Sequence, residues 1–181
     1  MSGRSRAVLL VAVQVLIVVS IAAKYGYERK VCPRVWARTS SIDPNMPVRG
    51  RYLWLPVEVN ACGLKPDGDY GWQVPNSPPN LRFRYWSASL AARDGHLLAY
   101  QKPGTPAYRT VHIEQRPNQT CDRAWIGEGI PFFVPDTAQS PYPLKKGEEL
   151  WVEVTVPPAG PPRALNLAVS DGKKFTQLDL H

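Results

Sequence analysis

The sequence predicts an all-β body, a sandwich or small barrel of about eight strands, preceded by one N-terminal transmembrane helix. Three observations predict it. All 19 prolines lie beyond residue 30, which leaves few windows of the body where a long helix could survive. Short runs with an apolar residue at every second position recur along that body, the period of a half-buried strand. Residues 7–23 carry no charge and only Gln14 and Ser20 as polar side chains, with Arg4 and Arg6 before them and Lys24 after.

A chain of 181 residues has room for one domain and this appendage. The apolar run is near the lower end of the roughly 17–25 residues that span a bilayer. It divides the chain into a cytoplasmic N-terminus (1–6), a transmembrane signal anchor (7–23), a basic connector (24–30) and an exported β domain (31–181). A cleaved signal peptide is the alternative, because Ser20-Ile21-Ala22 offers a small-x-small site before Ala23. Lys24, Arg29, Lys30, Arg34 and Arg38 outnumber Arg4 and Arg6, so the positive-inside count taken alone favours the reverse topology. A short basic start followed by an apolar run nevertheless reads as an export signal. The expected location is the inner (cytoplasmic) membrane, single-pass, with the C-terminal domain periplasmic. Residues 1–30 hold five Lys and Arg against Glu28, and so account for more than half of the net charge of +7. Such a cluster contributes about 1 kcal/mol per residue near anionic lipid, which makes membrane lipid the expected partner of the connector. Nucleic acid is not expected, since the body shows no basic stripe.

Residues 31–38 form the first candidate strand. Asp43-Pro44 and Met46-Pro47 then hold the chain in a turn, with Asp43 and Arg49 placed to close it by an ion pair and Gly50 to bend it. From Leu53 a strand follows, with Leu53, Leu55, Val57 and Val59 on one face and Tyr52, Trp54 and Glu58 on the other. Residues 60–80, rich in Gly, Pro, Asp and Asn, read as a long loop. Next, Leu81, Phe83 and Tyr85 alternate with Arg82, Arg84 and Trp86, and Asp94-Gly95 supplies a tight turn before a second arm at 96–101, although 87–92 could instead be helical. Residues 108–116 alternate again, with Val111 and Ile113 opposed to His112 and Glu114. The cleanest strand is 149–156, where Leu150, Val152, Val154 and Val156 oppose Trp151, Glu153 and Thr155. Strands at 163–169 and 173–180 flank Asp171-Gly172, a second tight-hairpin signal.

The chemistry-bearing residues are sparse. Cys32, Cys62 and Cys121 show no C-x-x-C spacing, and His96, His112 and His181 no metal-ligand spacing, so neither a metal nor a cofactor is expected. Export would make one disulfide plausible, with its pairing open and one thiol left over; otherwise the cysteines are small buried residues.

Asp43, Pro44, Arg49, Gly50, Tyr52 and Leu55 together resemble the signature of the GDYXXLXY domain family, with Arg51 where the family usually has Asp and Val57 where it has its last Tyr. The stretch Gly129-Ile130-Pro131-Phe132-Phe133-Val134-Pro135-Asp136 is similar to the family's later conserved segment. The resemblance implies a membrane-anchored protein of unassigned activity, with Gly129, Pro135 and Asp136 joining the structural motif. It also implies an integral membrane protein partner, because family members are often encoded beside or fused to multi-spanning proteins.

The leading expectation is therefore non-enzymatic: an anchored, extracytoplasmic β domain that binds or supports an envelope or membrane protein, with no catalytic residues. One alternative is a signal-peptidase-like serine–lysine hydrolase, in which Ser41 would attack and a desolvated Lys102 would serve as base. Backbone hydrogen bonding beside a turn explains Ser41 without chemistry. The other alternative is a glycan- or peptide-binding module using tryptophans such as Trp54 and Trp151, which fall opposite the aliphatic stripes.

Overall fold

The computed structural model describes residues 3–40, 51–71, 82–135 and 144–179, and the chain divides into two compact units, Met1–Cys32 and Pro33–His181. In the first, helix α1 (Gly3–Val31) is continuous. Its aliphatic run satisfies every backbone group internally, as a bilayer requires, and the Ser20 hydroxyl donates to the Leu16 carbonyl at 2.7 Å. The stretch Arg4–Val31 is long and apolar enough to cross a membrane, a test that a signal sequence also passes. Residues 24–30, read from sequence as a connector, prolong the helix, with Lys24 and Glu28 paired one turn apart at 3.9 Å. Pro33 is the first residue that cannot continue it, and the first strand begins at Arg34, later than the sequence suggests.

The second unit is all-β. In chain order its strands are β1 (Arg34–Thr39), β2 (Arg51–Leu55), β3 (Glu58–Val59), β4 (Gly68–Gly71), β5 (Arg82–Arg93) and β6 (His96–Tyr100). They continue with β7 (Val111–Gln115), β8 (Ala124–Ile126), β9 (Ile130–Val134), β10 (Glu149–Thr155), β11 (Arg163–Ser170) and β12 (Phe175–Gln177). Among the described residues this makes twelve strands where the sequence suggests about eight, because the run at 53–59 is cut in two and β4, β8 and β9 arise where no strand is expected. One sheet runs β1-β10-β11-β12, a second is the pair β2-β9, and the third runs β3-β8-β7-β5-β4 with β6 also on β5. The third nearly closes on itself. Asn60, just past β3, donates its N–H to the Leu97 carbonyl at 3.1 Å and accepts from the Ala99 N–H at 2.8 Å, so the ladder β3-β8-β7-β5-β6 returns to its start as a barrel.

One core fills the body. Leu53, Leu55, Val57 and Val59 are all fully buried, as their alternation requires, and they meet Ile113, Ile126, Leu150, Val152, Val154 and Leu167 in the same cluster. The stripe is continuous, yet its hydrogen bonding is not. Pro56 has no N–H to give, so β2 ends before it and pairs with β9, while β3 begins after it and pairs with β8.

Four details depart from the sequence reading. On β5 the core face is Trp86, Ala88 and Leu90, while Phe83 and Tyr85 are only half-buried, the reverse of the expected face. Residues 87–92 are strand, not helix, because β6 and β7 both pair along β5. The long loop at 60–80 contains β4, which aligns with Arg82 to Tyr85 of β5. Asp94-Gly95 forms the expected two-residue turn, with φ of 50° and 75° suiting a type I′ hairpin, but Asp171-Gly172 opens a wider loop between Ser170 and Phe175.

That wider loop is held by one carboxylate. Asp171 Oδ1 accepts from the Lys174 and Lys173 amides at 2.7 and 2.8 Å, and these hydrogen bonds, Lys174 first, hold its pKa below the ordinary 3.8. A depressed folded-state value means this contribution is complete above the unfolded pKa and is lost as pH falls through the folded one. The protection factors of the Lys173 and Lys174 amides, taken against the intrinsic exchange rate at each pH, are therefore expected to fall as pH drops below about 4, and Asp171→Ala to remove that fall.

Gly129 is the second position where local geometry constrains the residue. Its φ is +59°, and a Cβ built there would lie 2.3 Å from the Trp54 indole nitrogen, so the Trp54 ring rests directly on the glycine. Gly129→Ala should cost about 1–3 kcal/mol through backbone strain and displacement of the ring, read as a lower melting temperature with changed Trp54 fluorescence.

Candidate functional site

A cleft of about 540 Å³ lies between the first sheet and the barrel. At one end the two are joined: Thr39 bridges to Val57, and the Thr39 hydroxyl donates to the Pro56 carbonyl at 2.6 Å. The cleft is lined by residues 36–38 of β1, 58–60 at β3 and 96–98 of β6. A sheet face would offer only alternate residues to a cleft. Here three residues in succession from each strand line the cleft, so backbone as well as side chains are at its walls.

The rim combines aromatic and charged groups. Trp36 and Trp151 lie on the outer face of the first sheet, where Phe175 meets them edge-on at 4.7 and 6.1 Å between centroids. The Arg38 guanidinium sits 5.7 Å from the Trp151 ring centre and pairs with Glu149 at 2.7 Å. Across the cleft, Arg123 donates from Nε and Nη2 to Glu58 Oε1 at 3.3 and 2.8 Å, and that hydrogen bond is the main reason its pKa is raised. Asp122 beside it titrates below the usual carboxylate range, chiefly because of its hydrogen bond with Thr120. Arg93 and His96, at the β5–β6 turn, complete the lining.

A disulfide anchors this wall. Cys62 follows β3 and is bonded to Cys121, which opens the single turn Cys121–Arg123 that carries Asp122 and Arg123 into the cleft. The Ala61 N–H donates to the Cys121 carbonyl at 2.9 Å, and Asn60 Oδ1 accepts from the Cys62 N–H at 2.9 Å. Cys32 is the free thiol. Cys62, Cys121 and Asp122 cluster closely enough to suggest a metal, but with the two sulfurs bonded to each other only the carboxylate remains as a ligand.

Of the residues singled out from sequence that the structure describes, Trp151 lines this cleft, whereas Leu55, Gly129, Pro135 and Lys102 do not. Ser41, Asp43, Pro44, Arg49, Gly50 and Asp136 lie outside the described residues, as does the side chain of Tyr52. Leu55 is core, Gly129 supports Trp54, and Pro135 follows the end of β9. Lys102 is exposed beyond β6, not desolvated as a general base would require. Trp54 is 47% exposed on β2, away from the cleft, whereas Trp86 and Trp125 are buried, with their indole N–H groups directed to the Leu64 carbonyl and Gln119 Oε1. Sequence reasoning missed Trp36, Asn60 and Arg93; Trp151, opposite the aliphatic stripe of its strand, was the one hint of this rim. Compared with known proteins, the chain matches no family model, no curated protein and no solved structure.

In the chain-entropy account, a cross-link over a sequence separation of 59 stabilises by about 4 kcal/mol, and measured values run about 2–4. Denaturant unfolding of the Cys62→Ser/Cys121→Ser chain should show that loss. Equal midpoints for wild type and double variant would mean that the strand pairing alone holds the wall.

Proposed function

We propose that this chain is a membrane-anchored, extracytoplasmic binding domain of the GDYXXLXY type, with a non-enzymatic role toward another envelope or membrane protein. The observation that carries the reading is the combination in one chain of α1, apolar over a full bilayer span and 0% buried, with a β body that carries a cleft of mixed aromatic and charged lining. In this reading residues 1–6 are cytoplasmic, α1 crosses the inner membrane once, and Lys24, Arg29 and Lys30 meet anionic headgroups. The body is periplasmic. The Cys62–Cys121 bond supports that side, since disulfides persist in oxidising compartments. Gln14, exposed on an otherwise apolar helix, supports an integral membrane partner, because an amide in hydrocarbon is stabilised by a hydrogen bond from a neighbouring helix.

Alkaline phosphatase fused after His181 should be active, while a cytoplasmic reporter at the same place should not, and carbonate extraction should leave the chain in the membrane. A photocrosslinker at Gln14 should capture one membrane protein, and exchange of α1 for an unrelated span should remove that product. Release of the body as a soluble protein beginning near Ala23 would count against the anchor.

A further inference from the structure

We propose that a small pocket under the loop from Lys102 to Arg109 is a phosphate-binding site, which takes the phosphate group of a lipid headgroup or of a soluble phosphate. Phosphate recognition is independent of the binding-domain reading above, and only the lipid source draws on the membrane anchor in it.

The pocket begins at a hydroxyl that the fold covers without using. On β5 the side chains of Trp86, Ala88 and Leu90 face the core, so Ser89 belongs to the opposite face of the strand, and Tyr100 of β6 is paired directly across from it. A serine on an outer face is ordinarily solvated. Ser89 is only 8% exposed, because the chain that follows β6 folds back over it. Two tight turns shape that cover. Pro103 and Gly104 lie in a turn closed by the Thr105 N–H and hydroxyl, which both donate to the Lys102 carbonyl at 3.2 and 2.8 Å, and the single turn Ala107–Arg109 follows. The Arg109 carbonyl accepts from the Gly160 N–H at 3.5 Å, and Pro158 completes the wall.

The enclosed space is about 210 Å³, below the roughly 300–1,000 Å³ of sites that take a whole organic ligand and sufficient for one anionic group. Lys102 and Arg109 line it, and no carboxylate does. Among the described residues neither cation is in an ion pair, and neither the Ser89 nor the Tyr100 hydroxyl has a hydrogen-bond partner, so the pocket gathers four donor groups that the protein leaves unused. The Thr105 hydroxyl is not among them, because it is spent on Lys102. Two positive charges and two hydroxyls match a tetrahedral oxyanion, which accepts from every side, better than a planar carboxylate. Asp67 lines the adjoining cleft instead, where its carboxylate accepts from the Ser87 N–H at 2.5 Å and the Gln101 amide at 3.5 Å. The pocket lies at the end of the body where β1 begins, since Pro158 is two residues beyond Val156, whose N–H donates to the Pro33 carbonyl at 2.9 Å. α1 ends at Val31 and β1 begins at Arg34, a reach of at most about 11 Å, which in the anchor reading puts lipid phosphate beside soluble phosphate as a source.

The test titrates inorganic phosphate, by calorimetry, into the full chain in uncharged, phosphate-free maltoside micelles. One saturable site with a Kd of about 1 mM or tighter is expected. Lys102→Ala and Arg109→Ala should each weaken it about tenfold, the loss of one charged donor, whereas Lys102→Arg should retain it. Ser89→Ala should weaken it about fivefold at an unchanged or raised melting temperature, because its hydroxyl has no protein partner to lose. Micelles doped with lysophosphatidylglycerol divide the two sources. Displacement of phosphate by that lipid, and not by the same proportion of laurate, assigns the headgroup; equal effects of the two, or none, assign a soluble phosphate. Absence of saturable binding, an affinity unaltered in the Lys102→Ala/Arg109→Ala chain, or a Ser89→Ala chain that melts lower yet binds phosphate as wild type does would each overturn the proposal.

Discussion

Pro56 is the point on which the architecture turns. A strand of alternating apolar residues from Leu53 to Val59 would ordinarily pair along its whole length with one neighbour, but a residue without an N–H interrupts the ladder. The chain therefore changes partners there, from β9 to β8, while its side chains keep a single buried face. The carbonyl of the same proline is taken by the Thr39 hydroxyl, with Thr39 itself buried. A hydrogen bond to a buried acceptor is costly to lose, because the group left behind stays desolvated. This one junction thus fixes the first sheet against the barrel, beside the cleft that the two line together.

Much of this was legible in the residues. The aliphatic stripes at 53–59 and 150–156, the opposition of Val111 and Ile113 to His112 and Glu114, the Asp94-Gly95 turn and the apolar helix all follow from period and turn chemistry, which are local properties. On β5 the alternation was equally clear but its sense was not. Bulky aromatics stand on both faces at Phe83, Tyr85 and Trp86, and the choice fell to the side where Ala88 lets the neighbouring strands approach. β4 was hidden because its Gly68-Asp69-Tyr70-Gly71 has no strand propensity of its own and exists by pairing with β5. Which two of three cysteines meet is likewise a matter of fold, not of spacing. The cleft was least legible of all, because its lining comes from β1, β3, β6, β10 and the Cys121–Arg123 turn, which only the fold brings together.

The pairing of β1 with β10 has a consequence for how the protein is made. β1 is the first part of the body to leave a ribosome or a translocation channel, yet Arg34 finds its partner only at Thr155, after nearly all other strands have been laid down. Non-local closure of this kind is slow, since the chain loses its loop entropy before it gains the contact. Until then Val35 and Ala37 have no cover, and both edges of β1 can accept a strand from another chain. The run from β4 to β8 has its partners nearer in sequence and can assemble first. Biogenesis would then proceed as a barrel that waits, with its N-terminal strand held apart, for the C-terminal sheet to arrive and dock.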